Sequence, residues 1–372
     1  KALQKVKVSG GGRCNVTHQC FDIPVLVDRY PRGKQLLRRT LHRFGPEQTI
    51  DWFAARGVTI KAEEDGRMFP VTDDSQTIID CLWKEMMRRE AKVYFHKAVT
   101  SITPTPDAAN QFIISFADGS SAPADRILIT TGGFPKMDQY HWLAALGHQI
   151  VAPVPSLFTF NVPDHPISSL MGLSVPDAAV KVAGSKSVQT GPVLITHWGF
   201  SGPAILRTSA IAARELAGCN YHFRAVINWL GAATNEDFLE TVNGMRLSHG
   251  TAFVINKNPF GLPRRLWEYI MPRCCILPTT RWADLPAAAR NKLAEHLLRD
   301  TYEVAGKTTF KEEFVTSGGI HIAEIDAHTM ESRKQPGIYF AGEIIDVDGI
   351  TGGYNFQHAW SSGWVAAQAM TL

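Results

Sequence analysis

The chain has 372 residues, of which 45% are hydrophobic and 20% charged, with a net charge of +3. That length is too great for one small core and implies two or three domains, and the composition is ordinary for a soluble globular protein. The charge balance is only mildly basic, no apolar run approaches the ~20 residues of a membrane span, and no secretory signal is visible.

Residues 3–8 alternate and run into Ser9-Gly10-Gly11-Gly12-Arg13-Cys14-Asn15. Four small residues ahead of Arg13 let a backbone approach a phosphate closely, with Arg13 supplying charge; the plain alternative is a turn. Leu36, Leu37, Leu41 and Phe44, then Ile50, Phe53 and Ala54, recur at helical spacing, and Gly45-Pro46 divides the stretch into two helices. Asp65-Gly66 marks a turn into Arg67-Met68-Phe69-Pro70. Asp73, Asp74 or Ser75 is placed to cap a helix whose apolar positions include Ile78, Ile79, Leu82, Met86 and Met87. Residues 93–95 and 99–102 read as strands. Residues 111–116, the Asp118-Gly119 turn and 124–131 form a hairpin-like unit that ends in Thr130-Thr131-Gly132-Gly133.

At Pro153-Val154-Pro155 the texture changes to short strands separated by Pro, Gly and Asp, the pattern of an antiparallel β domain. Within it, Gly199-Phe200-Ser201-Gly202-Pro203 starts a helix, with Ser201 or Gly202 at the N-cap and Pro203 at N1. Residues 236–247 and 263–300 are helix-rich, residues 310–322 return to β texture, and the segment from about Asp326 resumes the first domain.

The six cysteines, Cys14, Cys20, Cys81, Cys219, Cys274 and Cys275, include no CxxC and no matching His spacing, which argues against a zinc site. Cys274-Cys275 reads as two buried thiols, and reduced cysteines fit a cytoplasmic protein. Basic pairs occur at Arg38-Arg39, His42-Arg43, Arg88-Arg89 and Arg264-Arg265. They read first as solvated helix faces; a nucleic-acid footprint needs them on one surface.

The end of the chain is the most informative stretch. An apolar strand over 338–341 stops at Gly342-Glu343, a glycine-rich loop follows, and then a helix packed with small residues. A carboxylate at the carboxyl end of a strand, with a helix amino terminus aimed at the same spot, is where open α/β sheets bind cofactors. Tyr354 and Asn355 stand at that helix start, read first as facing a bound cofactor, with a plain helix cap as the alternative. Trp360 and Trp364, four apart, read as core packing. His197 beside Trp198 is a weak candidate for a catalytic acid against a structural histidine. Arg67 is a weak candidate to face an anionic ligand against a surface arginine.

Four motifs together carry a resemblance. They are Ser9-Gly10-Gly11-Gly12-Arg13-Cys14-Asn15, Thr196-His197-Trp198-Gly199-Phe200-Ser201-Gly202-Pro203, Thr316-Ser317-Gly318-Gly319-Ile320, and Gly342-Glu343 with Asp346-Val347-Asp348-Gly349-Ile350-Thr351-Gly352-Gly353-Tyr354-Asn355-Phe356-Gln357. With them the whole chain resembles the bacterial BaiN-like flavoproteins, the aminoacetone-oxidase type of FAD-binding oxidoreductase. The resemblance implies an α/β fold with a split FAD-binding domain of the glutathione-reductase type, over 1–155 and 324–372. An inserted β-barrel-like substrate domain takes 156–232 and 301–323, and a small helical domain takes 233–300. It also implies that Gly11, Gly12, Arg13, Cys14 and Asn15 lie against the FAD pyrophosphate and flavin, and that Val99 meets the adenine through its backbone. Thr131, Gly132 and Gly133 would pass beside adenine and pyrophosphate. Glu343, after Gly342, would take a ribitol hydroxyl, and Gly353, Tyr354, Asn355 and Phe356 would present amides to the flavin.

Two departures from the family pattern stand out. The strand–GxGxxG–helix unit that opens its members is missing, a segment of roughly 30 to 40 residues. With no initiating Met, the sequence is expected to be incomplete at its start. Phe134-Pro135-Lys136-Met137-Asp138-Gln139-Tyr140 also stands where many members carry a further glycine-rich stretch. The leading expectation is an FAD-dependent oxidoreductase, with NAD(P)H as co-substrate and hydride delivery to a conjugated double bond of a small molecule. Alternatives within the resemblance are oxygen-dependent oxidation of a small amine and reduction of uridine in ribosomal RNA. A reading from another class is a remnant without FAD that binds a partner or is inactive. No metal and no membrane association are expected.

Overall fold

The last apolar strand, Ile338–Phe340, runs parallel to Ile127–Ile129, with Ile338 opposite Ile127 and Phe340 opposite Ile129. All three residues of the later strand are buried, as parallel strands between covering layers require. The computed structural model describes residues 2–105, 111–308 and 315–371. The fold is mixed α/β and divides into two units, residues 1–156 with 310–372, and residues 157–309.

In the first unit the alternating segment 3–8 forms a short helix, Gln4–Val8. A segment this short carries one buried residue, so its period is undecided locally. Val6 joins Cys14, Val16, Phe53 and Ile78 in one apolar cluster, and that packing sets the conformation. The helices Lys34–Arg43 and Pro46–Ala54 are divided where Gly45-Pro46 predicts, with Pro46 in the first turn of the second. Lys34–Arg43 buries Leu36, Leu37, Thr40 and Leu41. Arg67–Pro70 is the middle strand of a three-stranded sheet between Thr17–His18 and Ile60–Ala62. Asp74 caps Ser75–Arg88 by accepting from Gln76 N at 2.8 Å. Ile78 and Ile79 are buried on this helix, whereas Met87 is exposed rather than part of the apolar face.

Residues 93–95 form no strand. Tyr94 and Phe95 are 71% and 60% exposed, and the segment has no ladder partner among the described residues. The strand Val99–Pro104 does form and pairs in an antiparallel meander with Phe112–Phe116 and Ser121–Ala124. Ile127–Ile129 leaves that meander for the parallel pair, so the expected hairpin-like unit is divided between two sheets. Thr316–Ile320 pairs antiparallel with Ile150–Pro155. Residues 310–314 of the expected β stretch lie outside the described residues. A 3₁₀ turn over Gly342–Ile344 and a loop lead to the C-terminal helix, Tyr354–Met370.

The second unit is built on a seven-stranded sheet. Its order is Asp300–Ala305, His222–Asn228, Ser174–Val182, Gln189–Thr196, Gly199–Ser201, Thr159–Asn161 and Lys307–Thr308. The two ends of that order are consecutive in the chain, joined at Gly306 with φ 113°, so the sheet returns on itself. Pro203–Ile211 starts as predicted, with Gly202 at the N-cap and Pro203 at N1. Helices Asn235–Ser248, Arg264–Arg273 and Ala287–Leu298 share one apolar core with the strands, through Phe200, Trp229, Phe238, Trp267 and Leu293.

All six cysteines are free. Cys274 is buried as expected, but Cys275 is exposed. The helix Arg264–Arg273 ends there, and Cys275 takes a left-handed conformation, φ 60°, with its Sγ accepting from Lys292 Nζ at 3.3 Å. No helix among the described residues is long and apolar enough to cross a membrane.

Candidate functional site

Gly10, Gly11 and Gly12 follow one another at φ 59°, 69° and 88°, a run that only glycine adopts without strain. Their surroundings differ. A Cβ on Gly10 would meet the Phe69 ring at 2.8 Å and Asn15 N at 3.1 Å, whereas Gly11 and Gly12 face open space. The first is a packing glycine, and the next two leave bare backbone accessible to a ligand. Arg13 lies 4.0 Å from the Phe69 ring centroid, with its guanidinium 2.5 Å from Glu63 and 3.7 Å from Asp73. Arg67 bonds the same Glu63 at 3.0 Å and Asp65 at 2.7 Å. The two arginines therefore sit among carboxylates. Cys14 is buried, its N–H donating to Ser9 O at 3.0 Å. Burial pushes its thiol up to about 12, so it is a neutral packing group rather than a nucleophile.

Asn15 joins this loop to the C-terminal helix. In the orientation its neighbours require, its amide donates to Thr17 O and accepts from Gly353 N, both at 3.0 Å. Gly353 is the N-cap at φ 91°, and a Cβ there would drive into the Thr17 carbonyl. Its N–H is thus taken within the protein. The helix carries no side-chain cap, so its positive end at Tyr354, Asn355 and Phe356 is not neutralised by a capping side chain. Tyr354 stacks on His18 at 4.8 Å, and its carbonyl accepts from Tyr30 Oη at 2.7 Å. Asn355 clamps Gly349 from both sides, at 2.8 Å to N and 3.0 Å to O. Phe356 stacks on Trp360 at 5.8 Å. Trp360 donates to Val16 O at 3.0 Å, and Trp364 stacks on Phe44 at 4.8 Å.

At the other side of the site, Glu343 accepts from Thr316 N at 2.8 Å and pairs with Lys5 Nζ at 2.5 Å. Gly133 is pressed against these groups: a Cβ would lie 2.6 Å from Thr316 Oγ1 and 3.2 Å from Glu343 Cγ. Gly132, at φ 75°, faces open space, and Thr131 beside it is exposed. The hydroxyls of Thr316 and Ser317 are buried with no partner. Of these two, Thr316 adjoins the Glu343 carboxylate through its N–H, and Ser317, the next residue on the strand, points to the opposite face. Below Gly342, His358 is fully buried with Nε2 3.2 Å from the Gly342 carbonyl. Burial pushes it down to about 4, so it stays neutral and its Nε2–H donates.

The structure adds residues that the sequence does not single out. Asp348 is fully buried, held by a two-pronged guanidinium from Arg32 and by Ser156 Oγ at 2.7 Å. Asp348 lies inside the last motif, but nothing local identifies Arg32 or Ser156 as its partners. Val99 and His197 lie apart in sequence and element from these residues. Val99 is a half-exposed strand residue opposite Phe116. His197 lies in the second unit, exposed in the turn after Gln189–Thr196, edge-on to Trp198 at 4.4 Å. Among the described residues, no three His, Cys, Asp or Glu side chains converge as metal ligands would.

These elements, parallel strands ending at a glycine-rich loop before a helix amino terminus, define a Rossmann-type α/β unit. The chain belongs to the family described as HI0933-like protein Rossmann domain, whose model matches residues 1–369. It is similar to a 3-dehydro-bile acid delta(4,6)-reductase of Clostridium scindens, 27% identical over 98% of this chain and 89% of that protein. It is also similar to ribosomal RNA dihydrouridine synthases of Escherichia coli and Haemophilus influenzae. The first is 29% identical over 99% of this chain and 89% of the relative, the second 25% over 100% and 90%.

Proposed function

We propose that this chain is an FAD-dependent oxidoreductase that uses NAD(P)H to reduce a carbon–carbon double bond conjugated to a carbonyl. One observation carries the cofactor reading. Open, left-handed backbone at Gly11, Gly12 and Gly132 accompanies the partly exposed carboxylate of Glu343, held in place by Thr316 N–H. A pyrophosphate calls for bare N–H groups, and a polyhydroxyl chain calls for a carboxylate. In this reading Gly11, Gly12, Gly132 and Gly133 approach the pyrophosphate, while Glu343 takes a ribityl hydroxyl. Arg13, Cys14 and Asn15 shape the loop, Thr131 and the Val99 backbone border the adenine, and Tyr354 to Phe356 face the flavin ring. The first unit is then a split FAD-binding domain of the glutathione-reductase type. The self-returning sheet of the second unit is the β-barrel-like substrate domain, with the helices of 233–300 attached to it.

FAD, when bound, supplies hydride transfer. The protein's part is electrostatic. The uncapped first turn of Tyr354–Met370 favours negative charge in front of it, and Asn15 and Asn355 hold that turn against the loops 9–15 and 349–355. The substrate class is the one common to the relatives: a dehydro-bile acid reductase and two uridine-reducing enzymes all act on a C=C conjugated to a carbonyl. A uridine in ribosomal RNA is the macromolecular form of that class, and oxidation of a small amine has no observation of its own in its favour.

The test is titration of the purified protein with FAD, followed by NAD(P)H consumption with an enone. Stoichiometric flavin and enone-dependent turnover are expected. Gly11→Ala puts a methyl into open space but into left-handed backbone that costs about 1–2 kcal/mol of strain, so it should melt somewhat lower and, once folded, bind FAD at least tenfold more weakly. Equal affinity in that variant would remove the cradle from the cofactor site.

A further inference from the structure

The basic pairs of the sequence have different fates in the fold. Arg88 and Arg89 close on Glu85 at 2.7 and 3.1 Å, with Arg56 on the same carboxylate at 3.2 Å. Arg264 pairs with Glu268 at 2.7 Å, and Arg265 donates to Ser169 O at 2.9 Å. Those charges are balanced or tied down.

The helix Lys34–Arg43 is different. It contains no acidic residue, and its exposed face consists of Lys34, Gln35, Arg38, Arg39, His42 and Arg43. Lys34 pairs with Asp28 at 2.7 Å, the one ion pair on this face among the described residues. Arg39 and Arg43 lean on His328, through its ring nitrogen at 3.1 Å and its carbonyl at 2.5 Å, and among the described residues no carboxylate bonds them. Arg38 and His42 make no hydrogen bond or ion pair among the described residues; Asp28 acts on Arg38 only at longer range. Lys34 and Arg38, and Arg39 and Arg43, are like charges four residues apart, which repel on a helix. Packing of Leu36, Leu37 and Leu41 holds the helix together in spite of them. Such a face, free in water, attracts a polyanion.

Its shape indicates which anion. At 1.5 Å per residue the face is about 14 Å long, the rise of roughly four phosphates along one strand of a duplex. It has no exposed apolar side chain to enter a lipid surface, as an interfacial helix needs. It also adjoins the candidate site: Arg29 O accepts from Ile350 N at 3.0 Å, and Arg32 grips Asp348. A strand lying on this helix therefore passes beside the loop that leads to Tyr354.

We infer that the exposed face of Lys34–Arg43 docks the phosphodiester backbone of a structured RNA, which rests on the reading that the reduced double bond is that of a uridine in ribosomal RNA. Binding of a labelled ribosomal RNA transcript, measured by anisotropy across a potassium chloride series, tests it. The triple substitution Arg38→Gln, Arg39→Gln and Arg43→Gln keeps helix-forming side chains, and its thermal melt checks the fold. It should weaken binding at least tenfold and flatten the salt dependence by about 2–3, near 0.9 per lost phosphate contact. Arg88→Gln with Arg89→Gln should do neither, and reduction of a small enone should be unchanged in both. Wild-type and triple-variant binding of equal strength would overturn the docking face and leave the ribosomal RNA reading intact. No salt-dependent RNA binding by the wild type, with capture instead of phosphatidylserine vesicles or polyglutamate through these arginines, would overturn both.

Discussion

The side-chain oxygen of Asn15 accepts a 3.0 Å hydrogen bond from the N–H of Gly353, and its nitrogen returns one of 3.0 Å to the Thr17 carbonyl. One carboxamide thereby fixes the gap between the glycine loop near the start of the chain and the helix near its end. Asn15→Ala should lower stability by about 1–3 kcal/mol, because it leaves both backbone groups without their partner in a buried place. Asn15→Asp keeps the acceptor for Gly353 but sets a carboxylate against the Thr17 carbonyl, and should fall between. Urea unfolding of the three proteins gives the order, and an alanine variant as stable as the wild type would show that the bridge contributes nothing.

Arg32 and Asp348 form the second long-range tie. The carboxylate is fully buried, and Ser156 is its other partner. Removing one member of a buried pair typically costs about 3–5 kcal/mol, since the other charge is left uncompensated. Arg32→Met should therefore destabilise the first unit by that order. Arg32→Met combined with Asp348→Asn should recover part of the loss. A double-mutant cycle in chemical denaturation measures this, and simple additivity would argue against coupling.

How much of this was legible in the sequence depends on the range of the forces. The strand at 338–340, the glycine loop and the following helix read directly, because Gly342 and Gly353 punctuate an apolar run and a helical pattern. The break at Gly45-Pro46 and the N-cap at Gly202 read for the same local reason. Pairings across the chain did not. Nothing near Ile127 announces Ile338 as its neighbour, and nothing near Arg32 announces Asp348. Residues 93–95 have the composition of a strand, but a strand exists only with a partner for its N–H and C=O groups. At Gly353 the sequence suggested amides turned to a ligand, whereas its N–H is held by Asn15 and its missing Cβ makes room for the Thr17 carbonyl.

His358 makes the fold acid-sensitive. Burial holds its folded-state pKa near 4, below the ordinary value of 6.5, so the unfolded chain binds the extra proton first. Its contribution is complete above pH 6.5 and is lost as the pH falls through that window toward 4, by about 3 kcal/mol in all. His358→Gln, which keeps a donor for the Gly342 carbonyl, should flatten this part of the profile. Denaturant midpoints between pH 7 and 4 check it; parallel profiles for the two proteins would place the acid sensitivity elsewhere.

Glu343 separates a structural from a cofactor role most cleanly. Its pair with Lys5 is half-exposed on the lysine side, and such pairs contribute about 0–1 kcal/mol, so Lys5→Met should leave FAD affinity within threefold. The bond from Thr316 N is different, because it fixes the partly exposed carboxylate at the start of Thr316–Ile320. Glu343→Gln keeps an acceptor for Thr316 and for a ribityl hydroxyl, and should weaken FAD only a few-fold. Glu343→Leu supplies neither, and leaving those groups unpaired costs about 1–3 kcal/mol each, enough to weaken FAD more than tenfold. Flavin titration, with thermal melts of the apoproteins alongside, decides the role. A leucine variant that melts lower but binds FAD as tightly as the wild type would mark Glu343 as a support for Thr316–Ile320 and take it out of the cofactor site.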